Sequence, residues 1–148
     1  MRWSVRAALL SLLTAVLVSS TLVAPPQASA LTTREARMVT RINNARAAHG
    51  LRPLRVRSDL TDHARAHSRA MARRGYLYHT RDFRVLCCWS AIAENVGYGS
   101  TGRVVHRAFM GSRGHRANIL DRGSRGVGVG IVYTHGRLWV TEVFRDPR

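Results

Sequence analysis

Gly114-His115-Arg116-Ala117-Asn118-Ile119-Leu120 is the stretch on which the fold turns. Gly114 frees the backbone to bend sharply ahead of His115, and Arg116 to Leu120 predict a short helical turn. Working outward, Ala93-Glu94-Asn95-Val96 places Glu94 twenty-one residues before His115 (115 − 94), and Tyr78-His79-Thr80 places His79 fifteen residues before Glu94 (94 − 79). Neutral imidazoles suit borderline metals and a carboxylate can ligate or hold a bound water. These spacings carry no local metal signature, so only a folded chain can bring His79, Glu94 and His115 together.

On the C-terminal side, Val127, Val129, Ile131 and Tyr133 alternate with Gly128, Gly130 and Val132. Thr134-His135-Gly136-Arg137 then turns into a second strand from Leu138 to Phe144. Glycine at alternate positions leaves one strand face bare and invites a helix to approach closely. Glu142 shares a face with Leu138, Val140 and Phe144, which marks it as a buried carboxylate in need of a partner and a secondary site candidate. On the N-terminal side, Ala36, Val39, Ile42 and Ala45 predict a helix from Thr32 or Thr33 to about His49, stopped by Gly50. Leu60, Ala64, His67 and Met71 predict a second, capped by Ser58 and ended by Gly75. These two are expected to form an antiparallel pair across a short linker. Between Tyr76 and Ser100 the periodicity is lost and Gly97 and Gly99 interrupt it, which predicts loops enclosing His79 and Glu94. Thr101 to Gly111 predicts a third helix that buries Val104, Val105, Ala108 and Phe109. Helices packed on a small antiparallel sheet make an α+β layered domain.

Taken together and in this order, the three motifs resemble the CAP superfamily of cysteine-rich secretory, antigen 5 and pathogenesis-related proteins, in its bacterial form. The resemblance runs from the helix around Arg37 to Asn44 to the closing Trp139-Val140-Thr141-Glu142-Val143-Phe144. It implies a three-layer α-β-α sandwich and a cleft lined by two histidines and two acids. His79, Glu94 and His115 match three of those positions. The fourth departs: where many members carry W-x-x-E, this chain reads Phe109-Met110-Gly111-Ser112, which puts Ser112 at the acidic position and removes one charge and one ligand.

Arg2 and Arg6 precede an apolar run from Ala7 to Ala24, followed by Pro25, Pro26 and Ala28-Ser29-Ala30. That order predicts a secretory signal over residues 1–30, cleaved after Ala30, and a single domain over 31–148 with no transmembrane segment. The protein is therefore expected to be exported, extracellular and monomeric. All 24 basic residues counted as Lys or Arg are Arg, and two of them lie in the signal, so the remaining chain carries 22 − 8, or +14. Such a charge draws anionic partners. Export and the scattered arginines argue against nucleic acid, and point to a phospholipid headgroup or an anionic envelope polymer, or to a genome that places Arg wherever a solvated cation is tolerated. Cys87 and Cys88 are the two cysteines of the chain and are adjacent. No stapled framework follows from them, only a vicinal or an intermolecular bridge.

Three functional readings follow. The first is a non-enzymatic binding module whose His79, Glu94 and His115 cleft holds a divalent metal such as zinc, or a small or lipid ligand, with Asn95 bracing the loop. The second is a metal-assisted hydrolase of peptides or envelope components, with His79 or His115 as base and Ser112 as nucleophile. The third is charge-driven adhesion to anionic envelope polymers. His49, His63, His67, His106 and His135 are expected to be structural imidazoles, and the i, i+4 pair His63 and His67 incidental.

Overall fold

A computed structural model describes residues 30–147; the predicted signal, residues 1–30, lies outside them except for Ala30. Helix α1 spans Thr33–Ala48 and α2 spans Ser58–Arg74. The two-residue strand β1, Arg55–Val56, lies between them. Strand β2, Trp89–Gly99, is followed by α3, Gly102–Gly111, and α4, Arg113–Ile119. Strands β3, Gly126–Thr134, and β4, Arg137–Pro147, close the chain. One sheet runs in the order β1-β3-β4-β2. It is antiparallel apart from the short parallel pairing of β1 with β3.

Helix starts and stops follow local chemistry. Thr32 caps α1 in a reciprocal box: its hydroxyl accepts from the Glu35 amide, and its own amide donates to Glu35 Oε2 at 2.8 Å. Gly75 ends α2 in the left-handed conformation, at φ 76°. Ser58 does not cap α2. It is the first helical residue, Arg57 occupies the cap position, and no side chain satisfies the helix start there.

The sheet separates the helices into two layers. Met38, Val39 and Ile42 of α1, Val105 and Phe109 of α3, and Ile119 of α4 pack with Val127, Val129, Leu138, Val140 and Phe144. On the other face, Leu60 and Ala64 of α2 meet Val143, and Met71 meets Val96 and Trp139. So α1 and α2 do not pair as expected; each buries its apolar stripe on its own side of the sheet. The Arg65 guanidinium reaches the Glu35 carboxylate at 2.6 Å and ties the layers together. This is the expected α-β-α sandwich.

Gly128 and Gly130 set the distance between α2 and the sheet. A Cβ at Gly128 would stand 2.1 Å from the backbone of Leu60, and one at Gly130 2.2 Å from Ala64. The same device corrects the expected loop at 76–100. Gly97 and Gly99 do not break a strand; they lie inside β2, where absent Cβ atoms admit Phe109 and Val105 of α3 at under 3 Å. Val104 and Ala108, expected in the core, are exposed, because α3 presents only Val105 and Phe109 squarely to the sheet. Arg46 is fully buried and donates to the carbonyls of Arg52, Ile119 and Asp121, which no reading of Arg as solvated charge foresees.

Candidate functional site

The site straddles the free edge of β2. Successive side chains of a strand alternate between faces, so Glu94 points to the α2 layer and Asn95 to the α4 layer. Glu94 is 7% exposed and engages both carboxylate oxygens. Oε1 faces His79 Nδ1 at 2.9 Å and accepts the Thr80 amide at 2.9 Å. Oε2 accepts the Thr80 hydroxyl at 2.7 Å. With Nδ1 donating to that carboxylate, His79 turns its Nε2 lone pair outward, and its side chain is 60% exposed.

Two histidines expected to be incidental belong to the same constellation. His63 Nε2 lies 3.1 Å from Thr80 Oγ1. His67 Nε2 lies 2.7 Å from the Tyr78 carbonyl, on which it anchors the segment leading to His79. Burial pulls the His63 pKa below its ordinary value, against the Glu94 charge, which favours its cation, and with a further push from His67. His63, His67, Tyr76, Tyr78, His79 and Thr80 line an open cavity of about 880 Å³, flanked by Arg74, Arg81 and Asp82. The Arg74 guanidinium sits 4.7 Å above the Tyr78 ring. The i, i+4 spacing of His63 and His67 was the available signal; without Thr80 in view it had no third member.

On the other face, Asn95 is fully buried and joins three elements. Its amide donates to the His115 carbonyl and to Glu142 Oε2, both at 3.1 Å, while its Oδ1 accepts from Asn118 Nδ2 at 2.9 Å. Asn118 also reaches the Glu94 carbonyl at 3.4 Å. The Asn95 and Asn118 amides thus lock the helix carrying His115 to the strand carrying Glu94. The His115 ring packs against Phe109 with 4.8 Å between centroids. Its pKa is lowered by burial and then by the charge of His79, which lies near it around the strand edge.

Glu142 stands opposite Asn95 in register and is fully buried. Its Oε1 has no hydrogen-bond partner, and burial, only partly offset by Asn95, raises its pKa to about 8. It is a neutral acid beneath the site, out of reach of solvent. Ser112 ends α3 and precedes α4, and among the described residues its hydroxyl makes no hydrogen bond to a histidine. Cys87 and Cys88 are bonded to each other.

The fit to a metal follows from the donor set. Among the described residues no three His, Cys, Asp or Glu side chains gather as a metal-binding group. Glu94 is occupied as an acceptor, so the open donors are the imidazoles of His79 and His115, with Glu94 behind His79 in the orienting place that such carboxylates take.

Comparison with known proteins agrees with the fold and gives the family. The family model described as "CAP: Cysteine-rich secretory protein family" matches residues 39–144. The uncharacterized protein YkwD of Bacillus subtilis strain 168 is 31% identical in an alignment 141 residues long that covers 87% of this chain and 52% of that protein. The chain therefore spans about half the length of that relative. An extracellular SCP-domain protein of Bacillus anthracis has the same fold at a TM-score of 0.68 and 24% identity, over 80% of this chain and 45% of that one. NaASP2, solved with Zn2+, matches at a TM-score of 0.61 and 8% identity, over 81% of this chain and 82% of its own. Among the described residues no helix is long and apolar enough to cross a membrane. By its motifs, its sandwich and the family model that covers most of its length, the chain belongs to the CAP family of cysteine-rich secretory proteins.

Proposed function

We propose that this protein is an exported binding module, cleaved after Ala30, whose cleft at the free edge of β2 recognises a small polar ligand or a divalent cation through His79 and His115. The observation that carries the reading is the full engagement of Glu94. Its hydrogen bonds to His79 and to the amide and hydroxyl of Thr80 fix the 78–80 segment and the His79 ring, leaving a presented imidazole and no free carboxylate base. Tyr76 and Tyr78 give the adjoining cavity flat apolar walls, and Arg74 and Arg81 give it donors. That mixture suits a ligand held by stacking and a few directed hydrogen bonds. Where a divalent cation such as zinc is taken up, His79 and His115 would hold it, and it would supply Lewis acidity there.

A hydrolase using the same cleft is the second reading. It is favoured by His115, whose lowered pKa keeps its imidazole neutral and able to accept a proton near neutral pH. Ser112 gains no support as its nucleophile, because among the described residues no histidine bonds to it.

The test is a titration with zinc chloride followed by imidazole 15N shifts. Shifts confined to His79 and His115, and lost in His79→Ala, are expected. Shifts at His63 and His67 instead, or none at His79, would overturn the assignment. Turnover of a peptide library that disappears in His115→Ala would replace the binding reading with the hydrolase.

A further inference from the structure

Five arginines in the other helical layer converge on the seam between α1 and α3. Arg34, Arg37 and Arg41 recur at i, i+3 and i+7 and form one stripe on α1; Arg103 and Arg107 recur at i, i+4 on α3. Arg34, Arg37, Arg41 and Arg103 line a cavity of about 510 Å³. Arg41, Arg103 and Arg107 line a second of about 420 Å³, so Arg41 and Arg103 border both and the two are neighbours.

Among the described residues no acid lines either cavity. Glu35, the acid of α1, is buried and held by Arg65, and neither α3 nor α4 contains an acid. Among the described residues none of the five arginines has an ion pair. The α2 layer differs: there Asp59, Asp62 and Asp82 stand among the arginines and pair with Arg57, Arg65, Arg84 and Arg145. Like charges gathered without counter-charge repel each other, and a bound anion relieves that repulsion. The N-terminus of α3, with no acid in its first turn, adds the positive end of a helix dipole to the same groove.

We propose that this seam is a second binding site, independent of the cleft at β2, for a linear polymer whose repeating units carry phosphate. The planar guanidinium fork matches phosphate oxygens in pairs. Seven residues of helix separate Arg34 from Arg41 by about 10 Å, which is too far for one phosphate and suits successive groups on a chain. The seam is concave with Ile131 and Leu138 at its floor. A membrane surface calls instead for a protruding apolar face.

The test measures binding of fluorescent inorganic polyphosphate by anisotropy across a salt series. Two variants remove the same charge: Arg37→Gln/Arg41→Gln/Arg103→Gln in the seam, and Arg69→Gln/Arg73→Gln/Arg122→Gln elsewhere. All six side chains carry no ion pair among the described residues, so thermal melts of both variants are expected to overlay the parent. The seam variant should weaken binding by about tenfold or more and flatten the salt slope by about one for each phosphate it no longer neutralises, and the control should weaken it by less than about twofold. Equal weakening in the two variants would show diffuse charge and overturn the site. So would binding of the parent to phosphatidylglycerol vesicles but not to polyphosphate. Arg103→Gln alone, which should weaken binding measurably, guards against a folding defect in the triple variant.

Discussion

Replacing Glu142 by Gln should stabilise the protein at neutral pH and do nothing in acid. The carboxyl is fully buried, with a pKa raised by desolvation to about 8 against 4.5 when unfolded. The folded state therefore holds a proton that the unfolded state has released anywhere between those values. Stability from this group is complete below pH 4.5, falls as pH rises through that window, and levels off above about 8. At pH 7 the cost is 7 − 4.5, or 2.5 units, which at about 1.4 kcal/mol per unit is about 3 kcal/mol. Gln takes up no proton and carries no such penalty. Its oxygen can still accept from Asn95, and its amide takes the place of the unpartnered Oε1, as unsatisfied there as the neutral acid's own hydroxyl. A net gain of about 2 to 3 kcal/mol at pH 7 follows, or roughly 10 °C in Tm for a domain of this size. Thermal melts of both proteins by circular dichroism at pH 4, 5.5, 7 and 8.5 give the difference directly, since all other titrating groups cancel. A difference that is the same at every pH, or that grows toward acid, would refute the reasoning.

Other outcomes follow from the same geometry. Gly128→Ala forces a Cβ to within 2.1 Å of the Leu60 backbone, so α2 must lift from the sheet; a loss of about 3 kcal/mol or more in urea denaturation is expected, and a loss under about 1 kcal/mol would refute the close approach. Glu94→Gln halves the acceptors that hold His79 and Thr80, so amide exchange across 76–82 should accelerate by about tenfold or more while β3 and β4 are unchanged. Cys87→Ser/Cys88→Ser opens a bridge between neighbours that constrains almost no unfolded chain, so Tm should move by less than about 2 °C.

What the sequence revealed divides along the line between local and non-local causes. The Thr32 cap, the Gly50 and Gly75 stops and the bare face of β3 are written in neighbouring residues, and each was readable there. The motifs pointed to His79, Glu94 and His115 through resemblance, and the fold brings all three to one strand edge. Strand β2 was unreadable because Gly97 and Gly99 look like breakers until Phe109 and Val105 are laid over them. The pairing of α1 with α2 failed because two amphipathic helices joined by a short linker pack equally well on each other or on opposite faces of a sheet. His63 and His67 gained meaning only through Thr80 and Glu94, the nearer of them seventeen residues from His63. The arginines looked scattered because helical periodicity, not adjacency, collects Arg34, Arg37 and Arg41 on one stripe.

The most direct test of the cleft is native mass spectrometry of the protein purified from its own host, recorded with and without chelator. A bound mass that is present in the parent and absent in His79→Ala is predicted, sensitive to chelator for a cation and indifferent to it for an organic ligand. The same bound mass retained in His79→Ala, or a bare polypeptide in the parent, would contradict a ligand held at this strand edge.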